Sequence, residues 1–176
     1  QKFSDIVNTV FEHLNAKEGA GVYVGRGSRV KLSHSLLRNC HNDAMGTFYV
    51  ENNRITQEIE STTFLSNFGA KGGGAIYSDN TKILSTNSTF ISNKAGKNSD
   101  SQSESGSSVC AYSNTPGTGG AVMGVGGAEL EFFGATFSDN SCHLGGAISV
   151  SEKSRILLSG GTASNNKAFV SGGVLS

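Results

Sequence analysis

The chain is predicted to fold as an all-β, right-handed parallel β-helix of about six rungs, with three short strands per rung and one serine-rich loop insertion. Three observations carry that prediction. An apolar residue stands three before Asn in Phe64-Leu-Ser-Asn67, Phe90-Ile-Ser-Asn93 and Phe137-Ser-Asp-Asn140. A second tetrapeptide, Gly-Gly-Ala plus an aliphatic, alternates with it at Gly73–Ile76, Gly119–Val122 and Gly145–Ile148. Within each unit the apolar residues recur every second position, the period of a strand with one buried face.

The spacing defines the units. Phe64 to Phe90 and Phe137 to Ala163 are each 26 residues, whereas Phe90 to Phe137 is 47. The glycine series agrees, so one unit carries about 20 extra residues, and they fall in the serine-rich stretch 94–118. Upstream, Leu36-Leu-Arg-Asn39 with Gly46-Thr-Phe48 makes one unit, and Phe11 with Gly21-Val22 another. Ala163-Ser-Asn-Asn166 with Gly172-Gly-Val-Leu175 makes the sixth. Residues 1–15 read either as a degenerate rung or as a capping helix, because Ile6, Val7, Val10, Phe11 and Leu14 also fit one helical face.

Three strands can be assigned within a unit. Val22, Phe48, Ile76, Val122 and Ile148 share one inward slot, followed two residues later by Val24, Val50, Ser78, Gly124 and Val150. Tyr77, Met123 and Ser149 fall between them as spacers. A second run holds Val30 with Leu32, Ile83-Leu84, Leu130 with Phe132, and Ile156 with Leu158. The apolar-x-x-Asn run closes the third. Antiparallel hairpins would not return equivalent residues at equal chain distances, whereas a coil does. A leucine-rich repeat has an overlapping period but needs Leu where this chain has Gly-Gly-Ala.

Rungs stacked about 4.8 Å apart would bring Phe64, Phe90 and Phe137 into an internal aromatic column extended by Leu36 and Ala163. Asn39, Asn67, Asn93, Asn140 and Asn166 would line one corner, with amides bonding up and down and backbones suited to the left-handed region. Gly73, Gly74, Gly119, Gly120, Gly145 and Gly146 would let the backbone turn tightly against its neighbours. The prediction is one β-helix segment over 1–176, interrupted only by the 94–118 loop.

Composition narrows the function. The 176 residues hold 24 Gly, one Pro and no Trp, and only 16% are charged. Lys plus Arg equal Asp plus Glu at 14 each, so nucleic acid and anionic membrane are not the expected partners. No apolar run approaches the roughly 20 residues needed to span a bilayer as a helix. The chain opens at Gln1 and stops at Ser176 in mid-pattern, which reads as a piece of a longer protein. No cofactor is expected. The glycine-rich stretch from Gly117 to Gly127 precedes strand-like residues rather than the helix a phosphate loop opens.

The insertion buries little, and Ser99, Ser101, Ser103, Ser105 and Tyr112 are its candidate binding residues; the plain alternative is a tolerated surface loop. Cys40 and Cys142 stand three rungs apart, roughly 14 Å and beyond disulfide reach. Cys110 leaves the same corner one rung before Cys142, so Cys110–Cys142 is the candidate disulfide, with free thiols as the alternative. The same separation prevents Cys40-His41 and Cys142-His143 from sharing one metal ion. Glu129 and Glu131 lie two apart on one strand and are the carboxylate pair a polysaccharide-cleaving β-helix would use; solvated outward positions explain them as well.

The alternating tetrapeptides resemble those of the polymorphic membrane proteins of chlamydiae, over nearly the whole chain. Phe64–Asn67, Phe90–Asn93, Phe137–Asn140, Gly73–Ile76, Gly119–Val122 and Gly145–Ile148 match directly. The resemblance implies the β-helical passenger of an autotransporter, anchored by a C-terminal membrane barrel outside this chain. It further implies a noncatalytic adhesin at the bacterial surface, outer membrane or secreted after processing, whose partner is a host-cell protein or glycan. A polysaccharide-active enzyme and a purely structural stalk are the alternatives. An open last rung adds end-to-end self-association as an expectation.

Overall fold

The computed structural model describes residues 2–96 and 118–176. Among them there is no helix; parallel strands wind into a β-solenoid of about six turns with three sheets. The first sheet holds ten strands, the second six and the third five. Every strand pair is parallel, and partners lie one turn apart in sequence: Phe64 opposite Phe90, Phe90 opposite Phe137, Phe137 opposite Ala163.

The first sheet bends once per turn. Asn8, His34, Ser61, Asn87, Gly134 and Gly160 stack there, all with φ between 46° and 64°. The residue after each bend forms a hydroxyl ladder: the Thr9 N–H donates to Ser35 Oγ, Ser35 N–H to Thr62 Oγ1 and Thr62 N–H to Ser88 Oγ. Where Ala135 and Gly161 replace the hydroxyls, the strands run through the bend unbroken as Glu129–Ser138 and Arg155–Ser164.

The interior is one apolar column set. The Phe64 and Phe90 rings are stacked 5.1 Å apart, and Phe90 and Phe137 4.8 Å apart. Phe132 meets both Phe90 and Phe137 edge-on. Each such aromatic pair contributes about 0.5–1.5 kcal/mol beyond its burial. Phe48, Ile76, Val122 and Ile148 stack in the third sheet, as their shared slot requires.

The column is continued by Leu37, not by Leu36, because Leu37 pairs with Phe64 while Leu36 pairs with Thr63. Both leucines are apolar, so the tetrapeptide fits either one. The strand alternation chooses Leu37, and this shifts the corner by one. The left-handed positions are Asn39, Ser66, Ser92, Asp139 and Asn165, with φ between 52° and 56°. The stacked amides come one residue later, and in that column Cys40 stands where Asn67, Asn93, Asn140 and Asn166 stand on later turns.

At the glycine corner, Gly73, Gly119 and Gly145 have φ of 53°, 62° and 64°, where side chains are strained. Each following glycine touches the next turn. A Cβ on Gly74 would lie 2.7 Å from the Gly120 carbonyl oxygen, which no side chain tolerates.

Residues 2–18 form a rung, not a capping helix: Lys2–Val7, Val10–Glu12 and Asn15–Glu18 each pair with the turn below. The interruption is narrower than 94–118. Lys94–Ala95 is a strand paired with Phe68–Gly69, and Thr118 bridges Gly72 and Leu144, so the coil resumes at Thr118.

Candidate binding surface

The motif side chains point inward or into corners. Phe64 and Phe90 have no exposed surface, Phe137 is 3% exposed, and Asn67, Asn93 and Asn140 are buried. Each Asn makes three kinds of bond. Asn93 Nδ2 donates to Phe64 O at 3.0 Å and to Asn140 Oδ1 at 3.1 Å, while its Oδ1 accepts the Asn67 backbone N–H at 3.1 Å. These residues hold the coil; they are not available to a partner.

The cysteines lie in different columns. Cys40 heads the amide ladder, and burial raises its thiol above the ordinary value. Cys142 is buried and pairs in register with Ala168. Cys110, Ser99, Ser101, Ser103, Ser105 and Tyr112 lie outside the described residues.

The outer face of the first sheet is charge-matched from turn to turn. Arg29 pairs with Glu58, Lys31 with Glu60 at 3.2 Å, Lys82 with Glu131, and Arg155 with Glu129 at 3.9 Å. Glu129 and Glu131 are therefore each engaged by a cation of an adjoining turn. Such exposed pairs are worth about 0–1 kcal/mol apiece, but the alternation keeps like charges from stacking.

The outer face of the third sheet is built differently. Tyr23, Tyr49 and Tyr77 occupy one outward column, continued by Met123 and Ser149. The Tyr23 and Tyr49 rings stack 5.4 Å apart and 12° from parallel, Tyr49 and Tyr77 5.0 Å apart and 10° from parallel. Met45, Met123 and Val125 pack against the inner two rings, leaving Tyr23 54% exposed and Tyr77 7%. Thr118, where the chain re-enters the coil, donates from Oγ1 to Met123 Sδ at 2.9 Å.

Carboxylates border this column. Tyr23 and Tyr49 donate their hydroxyls to the two oxygens of Glu51, at 2.9 and 3.0 Å. Glu51 stands directly opposite Asp79 on the next turn. Burial, then Glu152 and Glu51, raise the Asp79 carboxyl above its ordinary value. Burial, followed by Asp79, Glu152, Glu51 and Glu18, pushes the Tyr77 hydroxyl up to about 12. Tyr49 is raised as well, by burial and then by its bond to Glu51.

In the sequence Tyr77 reads as a spacer between inward residues, and the recurrence of Tyr23, Tyr49 and Tyr77 in one slot on three successive turns carries no signal of its own that they form a surface. Periodicity reports which face a residue takes; only the rung register shows that three outward rings stack.

The repeat pattern described as Chlamydia polymorphic membrane protein repeat matches residues 61–79 and 134–151. Each match spans one Phe-x-x-Asn corner and the glycine corner that follows, on the third and fifth turns. The turn between them has the same two corners, separated by the interruption before Thr118. No curated protein and no solved structure matches the chain. Both repeat matches fall on intact turns of a parallel β-solenoid, and together they support a member of the Chlamydia polymorphic membrane protein family.

Proposed function

We propose that the chain is a noncatalytic adhesive segment of an autotransporter passenger, displayed at the bacterial surface and attaching to host cells. The observation that carries this reading is the division of labour within the repeat. The family tetrapeptides are consumed in the interior, and the outward slots vary freely, concentrating tyrosine and methionine on one sheet face. Tyr and Met are enriched, and Lys depleted, where proteins meet partners. The partner is a host-cell protein or glycan, met by that face, by the insertion that re-enters beside it at Thr118, or by both. Membrane anchorage comes from a barrel elsewhere in the parent protein, and the isolated segment associates end to end.

Polysaccharide cleavage gains no support from Glu129 and Glu131, since each is bound to a cation of another turn. The adhesive reading is tested by attachment of the purified segment to host cells, with and without residues 97–117. Saturable attachment is expected. Its absence in the intact segment would reduce the chain to a stalk, and unchanged attachment after the deletion would assign binding to the sheet face.

A further inference from the structure

The two outer faces treat charge in opposite ways. On the first sheet, cations and carboxylates alternate from turn to turn. On the third, Glu51 and Asp79 stand in register as like charges. Among the described residues, Glu18, Glu51, Asp79 and Glu152 make no ion pair. Like charges directly opposite one another on a sheet are destabilising, so this arrangement costs the fold something that a bound cation would return. The nearby arginines do not supply it. Arg26 and Arg54 line a groove with Asn52, Asn53 and Asn80 without forming an ion pair to Glu51 or Asp79, and no cation appears among the groups acting on Asp79.

A second observation points the same way. Tyr77 is more than nine-tenths buried, and its hydroxyl, beside Asp79, makes no hydrogen bond among the described residues. The ring is buried while the hydroxyl oxygen reaches the surface, where an incoming donor can bond it. Tyr23 offers an open ring at the end of the stack, suited to the side of a guanidinium or ammonium group. No set of three or more His, Cys, Asp or Glu among the described residues is arranged for a metal ion. The fitting ligand is therefore an organic cation with an apolar stem, which is what Lys and Arg side chains are.

We infer that the outer face of the third sheet, from Tyr23 to Asp79 and Glu152, is a docking surface for a lysine- or arginine-rich protein segment. Cationic heads bridge Glu51, Asp79 and Glu152, and their stems lie along the tyrosine and methionine column. The inference rests on the adhesive reading and specifies the chemistry of its partner.

The test is direct binding of a fluorescent arginine–glycine repeat peptide to the segment 1–176, followed by anisotropy at low and physiological salt. Saturable binding that weakens with salt is expected, because the contacts are ionic. Asp79→Asn with Glu152→Gln should weaken it by about tenfold or more. The same variant should melt no lower than the parent, because it removes repulsion and no hydrogen bond. Tyr77→Phe supplies a second, nearly isosteric probe and should weaken binding too. Glu129→Gln with Glu131→Gln, on the other face, should leave affinity unchanged. Failure of the parent to bind the peptide, or equal weakening by the first-sheet variant, overturns the inference. Cell attachment by the parent protein, measured alongside, judges the adhesive reading separately.

Discussion

Asn67 and Asn93, 26 residues apart in the chain, are bonded directly: both the backbone N–H and the Nδ2 of Asn67 donate to Asn93 Oδ1 at 3.1 Å. Asn93 also holds the Phe64 carbonyl through its own Nδ2. Replacing Asn93 with Leu keeps the volume but leaves the Asn67 N–H without its acceptor in a buried corner and removes the amide bonds to Phe64 O and Asn140 Oδ1. At about 1–3 kcal/mol for the orphaned N–H and about 0.5–1.5 kcal/mol for each lost bond, Asn93→Leu should destabilise by several kcal/mol. Chemical denaturation with an unchanged m-value would measure it. A loss below about 1 kcal/mol would show that the ladder contributes little.

Cys40 occupies an amide position, and the expected gain from restoring the amide is specific. The Cys40 N–H donates to Asn67 Oδ1 at 3.1 Å, and its Sγ lies 3.9 Å from the Phe11 carbonyl that an Asn Nδ2 would reach. Cys40→Asn should extend the ladder by one turn and raise stability by about 0.5–1.5 kcal/mol, as a typical added hydrogen bond does. A lowered melting temperature would mean that this turn is built around the thiol.

Much of the coil was legible because inward Phe, corner Gly and stacked Asn each have a physical reason to recur at the same position. Registration failed only where two neighbours satisfied the pattern equally, at Leu36 and Leu37. The hydroxyl ladder of Ser35, Thr62 and Ser88 escaped notice for another reason. Ser and Thr are common throughout this chain, and nothing in composition separates a buried hydroxyl from a solvated one. The tyrosine face was visible as three residues in one slot, but its acidic border was not. Glu51, Asp79 and Glu152 come together only through rung stacking.

Two glycines with similar backbones should respond unequally to the same substitution. Gly27 and Gly119 have φ of 72° and 62°. A Cβ on Gly27 meets nothing within 4 Å, whereas one on Gly119 would overlap the Val122 carbonyl oxygen and lie 3.0 Å from the Ser149 nitrogen. Gly27→Ala should cost about 1–2 kcal/mol, the left-handed penalty alone. Gly119→Ala should cost far more and prevent the coil from closing. Circular dichroism and soluble yield compare them, and equal losses would contradict the steric account.

The last turn leaves apolar side chains uncovered: Leu158 is 45% exposed, Phe169 51% and Val170 61%. Its backbone edge is likewise an unpaired parallel strand. The segment 1–176 on its own should therefore associate end to end as concentration rises, and Val170→Lys should suppress this. Light scattering that finds a strict monomer at high concentration would refute it.

Tyr77 gives the fold an alkaline limit whose direction follows from linkage. Its ordinary pKa is 10.0, and burial, then Asp79, raises it to about 12 in the folded chain. The unfolded chain therefore loses this proton first as pH rises, and ionisation favours unfolding. The stabilising contribution is complete below pH 10 and is lost progressively between pH 10 and about 12. Tyr49 is raised in the same direction and adds to the effect. Tyr77→Phe removes one titrating group, so its melting temperature should fall less than the parent's between those pH values. The comparison is made on melting curves at matched ionic strength. Parallel decline of the two proteins would show that Tyr77 ionises as freely in the fold as in the open chain, and that neither its burial nor the carboxylates around it hold the proton.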